Sequence, residues 1–193
     1  MITLNFFICE NKNIKPFSYF NRITSEGGSE MKDSFVRTNN EVSEIYDRHV
    51  NTVYRVCVLY MKNQHDTEDM VQNTFIRLMR DNTKFESFEH EKAWLIKTST
   101  NLCKDFFKSF WRKTVDIDYA NEVAHNEEFY IDDTIKKVMK LPSKYKIALY
   151  MYYYEGYSTV EISKILDKNL STIKGYLHKG RKLLKVEMEG DLR

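Results

Sequence analysis

From Glu41 onward, apolar residues recur at spacings of three and four, the period of a helix with one buried stripe. Val42, Ile45, Tyr46, Val50, Val53, Tyr54, Cys57, Leu59 and Met61 predict one long helix ending near Asn63, where the polar pair Gln64-His65 breaks the pattern. A second helix is predicted from about Asp66 to Arg80, with Met70, Phe75, Ile76 and Met79 facing inward. Its acids cluster at the start, where the helix dipole favours them. The turn-like stretch Asp81 to Glu89 leads into a third helix, about His90 to Trp111, patterned by Trp94, Leu95, Leu102, Phe106 and Phe107. Residues 114–130 lack any period and read as a linker. Helical periodicity resumes near Ile131 and is interrupted at Leu141-Pro142, with Pro142 expected to start a new helix. The predicted fold is all-α: two small helical domains, 41–113 and 131–186, joined by a flexible linker. No internal repeat is evident.

The end of the second domain has the layout of a helix-turn-helix. Ser158 is placed to cap a helix running to Leu166, with Glu161 completing a capping box. Asn169 is placed to cap the next helix, in which Ile173, Leu177, Gly180 and Leu184 form one buried stripe. Lys174, His178, Lys179, Arg181, Lys182 and Lys185 fill the remaining surface with no acid among them. A lone basic helix is more often a solvated face. A capped helix and a short turn before it shift the reading to contact with DNA.

Charge changes the picture only through its distribution. Hydrophobic residues make up 42% of the 193 and charged residues 30%, with a formal net charge of +2, which describes a globular chain and not a polycation. Basic residues gather in Lys104–Lys113 and Lys174–Lys185. Between them the stretch Asp116–Asp133 is acidic, with Asp116, Asp118, Glu122, Glu127, Glu128, Asp132 and Asp133 set against no Lys or Arg. Cys9, Cys57 and Cys103 are odd in number and widely spaced, which fits a reduced cytoplasmic compartment. No paired Cys or His spacing of a metal site and no glycine-rich phosphate loop occurs, so no metal and no cofactor are expected. No nucleophile, base and orienting group can be assembled from adjacent motifs, so neither catalysis nor a small-molecule substrate is expected. Residues 1–30 follow no helical period, and their apolar piece is too short to insert in a membrane. Met31 follows Ser-Glu-Gly-Gly-Ser-Glu, whose codons can form a purine-rich ribosome-binding site. Translation is therefore expected to start at Met31, with residues 1–30 a non-native or disordered extension.

Several motifs in one order then point to a family. DTEDMVQNTFIRLMR (Asp66 to Arg80), FEHEKAWLIKTSTNLCKDFFKSFWRK (Phe88 to Lys113), LPSKYKIALYMYYYEGYSTVEISKIL and LSTIKGYLHKGRKLL resemble bacterial RNA polymerase sigma factors of the extracytoplasmic-function group. The likeness covers about Glu41 to Lys185. It implies a three-helix domain 2 and a helix-turn-helix domain 4, with core RNA polymerase and promoter DNA as partners. Many relatives are also held inactive by an anti-sigma factor.

The resemblance also distributes roles. Asp66, Glu68, Asp69, Gln72 and Asn73 become candidates for docking on the polymerase core. Lys92, Lys97, Thr98, Asn101, Lys104, Lys108 and Arg112 become candidates for the minus-10 element, helped by Lys113 and the loop Lys84 to Phe88. Of these, Asn101 offers both a donor and an acceptor to a base. Trp94 is expected to pack. Ser171, Thr172, Lys174, Gly175, His178, Lys179, Arg181 and Lys182 become candidates for the minus-35 element. Two places depart from the family pattern: Gly175-Tyr176 replaces a common Ser-Arg pair, and Asp167-Lys168 stands where Gly and an apolar residue are usual. The competing reading is a free-standing helix-turn-helix regulator, which would need a dimerisation or ligand-sensing domain upstream.

Overall fold

The computed structural model describes residues 36–61, 63–113 and 133–190, with backbone alone at 110–113, 133–136 and 187–190. All secondary structure among the described residues is α-helical. The predicted linker 114–130, the extension 1–30, Cys9 and the Met31 start lie outside the described residues.

Three helices build the first domain: α1 (Asn39–Tyr60), α2 (Gln64–Arg80) and α3 (Phe88–Lys113). Each begins a few residues before its predicted start, and in each case a side-chain cap explains the difference. Thr38 forms a capping box with Glu41 at α1. Asn63, expected as a helix end, instead caps α2 by accepting from the Asp66 N–H at 2.8 Å. Ser87 Oγ accepts from the His90 N–H at 3.1 Å and so serves the first turn of α3. The core follows the periodic residues: Val42, Val53, Cys57, Phe75, Leu78, Leu95, Ile96 and Cys103 are fully buried. Cys57 and Cys103 are both free thiols. Burial pushes the Cys57 thiol well up, and its neighbour Cys103 adds to the shift.

The second domain comprises α4 (Asp133–Lys140), α5 (Ser143–Tyr153), α6 (Thr159–Ile165) and α7 (Leu170–Gly190). Pro142 precedes α5 as its N-cap residue, as the break in the pattern predicts. Ile147, Ala148, Met151, Ile162, Ile173 and Leu177 form the core between α5, α6 and α7. Among the tyrosines of α5, Tyr150 is buried while Tyr152 and Tyr153 are exposed.

The two domains also touch, which no periodicity in the chain announces. Helix α1 packs on α4 and α5, and α3 packs on α6. Lys146 Nζ donates to the Leu59 carbonyl at 3.0 Å across this contact.

Candidate nucleic-acid interface

The helix-turn-helix is built as the sequence predicts, and its turn shows why it closes. Ser158 and Glu161 satisfy each other's backbone donors in a capping box at the start of α6. Those bonds hold the Glu161 carboxyl below its ordinary range. At the other end, Lys168 N–H donates to Ser163 O at 2.9 Å and Asp167 N–H donates to Lys164 O at 3.4 Å. This is the pattern of a Schellman motif, which needs a left-handed residue, usually glycine, just past the helix. Asp167 fills that place with φ 51°.

Helix α7 then lies across α5. Ile173, Leu177 and Gly180 are buried and Leu184 is half-buried. Gly180 is there for closeness: a Cβ on it would lie 3.0 Å from Leu149 Cδ1 and 3.3 Å from Tyr145 Cβ. A Cβ on Gly175, one face round, would meet nothing within 4 Å. Ser171, Lys174, His178, Lys179, Arg181, Lys182 and Lys185 are exposed, with Thr172 and Gly175 partly so. Most of these recur three or four residues apart, which makes a cationic strip on the outer side of the helix, a shape and charge suited to a groove and its phosphates.

In the first domain, α3 carries the other basic surface. Lys97, Asn101, Lys104 and Lys108 follow one another along the helix at spacings of three and four. Asn101 and Lys108 are exposed, while Lys92, Lys97, Thr98 and Lys104 are partly buried. Arg112 lies in the last turn, and its side chain is outside the described ones. Lys108 pairs with Asp105 at 3.1 Å. Lys97 pairs with Asp167 of the second domain at 2.7 Å, and Lys92 pairs with Glu155 at 3.2 Å. Burial lowers the Lys104 pKa, and the nearby Lys168 and Lys108 lower it further.

The loop ahead of α3 is tied down by residues that sequence reasoning missed. The Arg37 guanidinium donates to the Thr83 carbonyl and lies 4.7 Å from the Phe85 ring centre. Phe85 in turn meets Trp94 and His90 edge-on, with centres 5.9 and 5.7 Å apart, so Trp94 packs as expected. Behind the loop, Glu91 is buried and accepts from Arg48 at 3.2 Å while contacting His49 Nε2 at 2.7 Å. Desolvation lowers the His49 pKa against the pull of that carboxylate. Arg48 also lies over the exposed Phe88 ring at 4.9 Å. No local signal marks these partners, since Arg37 and Arg48 reach residues more than forty positions along the chain.

On α2, Asp66, Glu68, Asp69 and Gln72 are partly exposed and Asn73 is exposed. At helical spacing Asp66, Asp69 and Asn73 lie on the side away from the buried Val71, Phe75 and Leu78, whereas Glu68 stands two turns before Phe75 in the same row. Gln64 donates to Glu68 at 2.8 Å, and His65 lies 3.8 Å from Asp69. Among the described residues no cluster of acids, histidines or cysteines could hold a metal ion, and no helix is long and apolar enough to cross a membrane.

The family model for sigma-70 region 2 matches residues 45–113, and that for sigma-70 region 4 matches residues 133–184. Those spans coincide with the two helical domains. The chain belongs to the sigma-70 family. Within it, this sigma factor groups with the extracytoplasmic-function branch. It is 27% identical over 167 residues to the ECF RNA polymerase sigma factor SigW of Bacillus subtilis, covering 76% of this chain and 88% of that one. It is 30% identical over 153 residues to the ECF RNA polymerase sigma factor SigE of Mycolicibacterium smegmatis, covering 74% of this chain and 59% of that one. Among solved structures, it shares its fold with the sigma factor RpoE of Bartonella quintana, in complex with the anti-sigma factor NepR. That match has a TM-score of 0.61 at 18% identity, over 77% of this chain and 97% of the other. CnrH, in complex with the cytosolic domain of CnrY, matches with a TM-score of 0.56 at 16% identity, over 92% of this chain and 99% of that one.

Proposed function

We propose that this sigma factor binds core RNA polymerase through the outer face of α2 and directs initiation by reading two promoter elements. Helix α3 and the loop before it serve the minus-10 element, and α7 serves the minus-35 element. The observation that carries this is the division of α7 between Ser171 and Lys185 into a buried apolar stripe and an outer face that bears cations and no acid. Such a face gains affinity from phosphates and orients the helix for contact with base edges.

Domain boundaries follow the same logic: 41–113 for core docking and promoter melting, 114–130 as tether, 131–186 for minus-35 recognition. Strand opening draws a base out of the stack, and the cations of α3 beside the aromatic loop Phe85 to Phe88 offset that cost. The chain performs no chemistry of its own and takes no cofactor; polymerase supplies the catalysis. A cytoplasmic location and control by an anti-sigma factor complete the proposal, the latter supported by the structural likeness to the sigma factor RpoE in complex with the anti-sigma factor NepR.

A charge reversal tests the docking face. Asp66→Lys, Glu68→Lys and Asp69→Lys together are expected to abolish co-elution with core polymerase in gel filtration while the circular dichroism stays helical. Unchanged co-elution would reject α2 as the docking face.

A further inference from the structure

Residues 81–86 join α2 to α3 with side chains that alternate in burial: Asp81, Thr83 and Phe85 are partly buried, while Asn82, Lys84 and Glu86 are exposed. A strand alternates in this way when a sheet neighbour bonds its backbone. Here no strand lies beside it among the described residues, and the bonds come from elsewhere. Asp81 Oδ1 accepts from the Thr83 N–H at 2.8 Å, and Arg37 donates to the Thr83 carbonyl. The same guanidinium lies 4.7 Å from the centre of the Phe85 ring, and Phe85 packs edge-on against Trp94. One arginine therefore engages two of the three inward positions of the loop.

Arg37 is itself fixed from outside the loop. It stands ahead of α1, and the N–H groups of Val36 and Arg37 both donate to the Met79 carbonyl, at 2.9 and 3.2 Å. Met79 lies in the last turn of α2, where helix carbonyls lack partners of their own. The segment before α1 is thereby seated on the end of α2, and the side chain reaches from there to the loop. Its Nε is buried with no hydrogen-bond partner among the described residues, which costs stability at that atom. The guanidinium orders the loop in return.

We propose that Arg37 is a positioning residue for promoter opening: it holds the loop 81–86 extended, with Phe85 inward and Lys84 outward, before the minus-10 strand arrives. This deepens the functional reading above and rests on it. A base that leaves the stack needs a surface ready to receive it. A loop that ordered only at that moment would lose its conformational freedom then, and the loss would oppose opening. With Arg37 in place that entropy is lost when the chain folds. Arg37 touches no base in this scheme, so its removal acts on the opening step and not on docking to the polymerase core.

Two arms test this with the full chain. The first needs neither polymerase nor DNA. Trp111→Phe leaves Trp94 as the one remaining tryptophan of two, with Phe85 against it, and acrylamide quenching of Trp94 then reads whether Phe85 stays in place. Arg37→Ala in this background is expected to raise quenching, and Arg37→Lys, which keeps a donor and a cation, to recover part of the protection. In the second arm, a promoter isolated from a random library with the wild-type chain and core polymerase is transcribed as a duplex and as the same sequence with its minus-10 region held open by mismatches. Arg37→Ala is expected to lower duplex transcription at least about fivefold, the scale of one lost charged contact, and to affect the premelted template far less. Should that variant not co-elute with core polymerase, Arg37→Gln, which keeps a donor and loses the charge, carries the comparison. Quenching unchanged by Arg37→Ala would overturn the proposal, as would equal losses on the two templates, the outcome of a merely structural defect. A wild-type chain that yields no chain-dependent promoter rejects the functional reading instead, and the quenching arm still decides whether Arg37 holds the loop.

Discussion

Two glycines of α7 have opposite reasons for being glycine. Gly180 lets the helix approach α5, and a Cβ there would press on Leu149 and Tyr145. Gly180→Val is expected to destabilise the second domain by about 1–3 kcal/mol, the usual cost of overpacking. Gly175 faces open space, so Gly175→Ala is expected to stabilise by about 0.5–1 kcal/mol through backbone entropy. Thermal unfolding of the two variants checks both signs; a Gly175→Ala protein less stable than wild type would show that the backbone there is strained or crowded after all. On α3, Asn101 is exposed and amid cations. Asn101→Ala is expected to cost about 1–3 kcal/mol of discrimination at one minus-10 position, with core binding normal. Selection from randomised minus-10 elements reads this directly. Uniformly lower activity with unchanged preference would make Asn101 a structural residue. The buried stripe Ile173, Leu177 and Gly180 is legible in the sequence because a period of three and four is a local property. The burial of Glu91 against Arg48 and His49 is not, because the pairing depends on how α1 and α3 cross.

At the scale of elements, helix starts were the least legible feature. The apolar stripe tells where a helix packs, whereas its first residue is set by a cap that can sit several positions ahead of the first buried side chain. Ser158 was readable because it stands directly before its helix with Glu161 in register. Thr38 and Asn63 precede stretches whose first turns are polar, and Asn63 lies where one pattern fades before the next begins. Ser158→Ala is expected to cost about 1 kcal/mol of second-domain stability. The sign of its pH dependence follows from Glu161, whose carboxyl is held below its ordinary value by bonds to Ser158. That contribution is full above the unfolded carboxyl range and is lost as pH falls through the folded value. Denaturant titrations at pH 7 and at progressively lower pH should show the gap between wild type and Ser158→Ala narrowing. A gap that widened on acidification would contradict the capping-box account.

For the whole molecule, the order of motifs along the chain announces two helical domains and the surfaces they present, while their mutual contact is written only in the folded structure. Lys97 and Asp167 are seventy positions apart, and each reads locally as an ordinary solvated charge. The account stands most directly on promoter-specific initiation. The decisive measurement is run-off transcription by core polymerase with and without this chain, over a library of random upstream sequences. The expected result is chain-dependent transcripts whose templates share two conserved elements about 25 base pairs apart. Lys179→Ala with Arg181→Ala should weaken dependence on the upstream element, with the gap to wild type narrowing as salt rises because the variant has the shallower salt slope. Transcription that is the same with and without the chain, or enriched templates with no second element upstream, would contradict it.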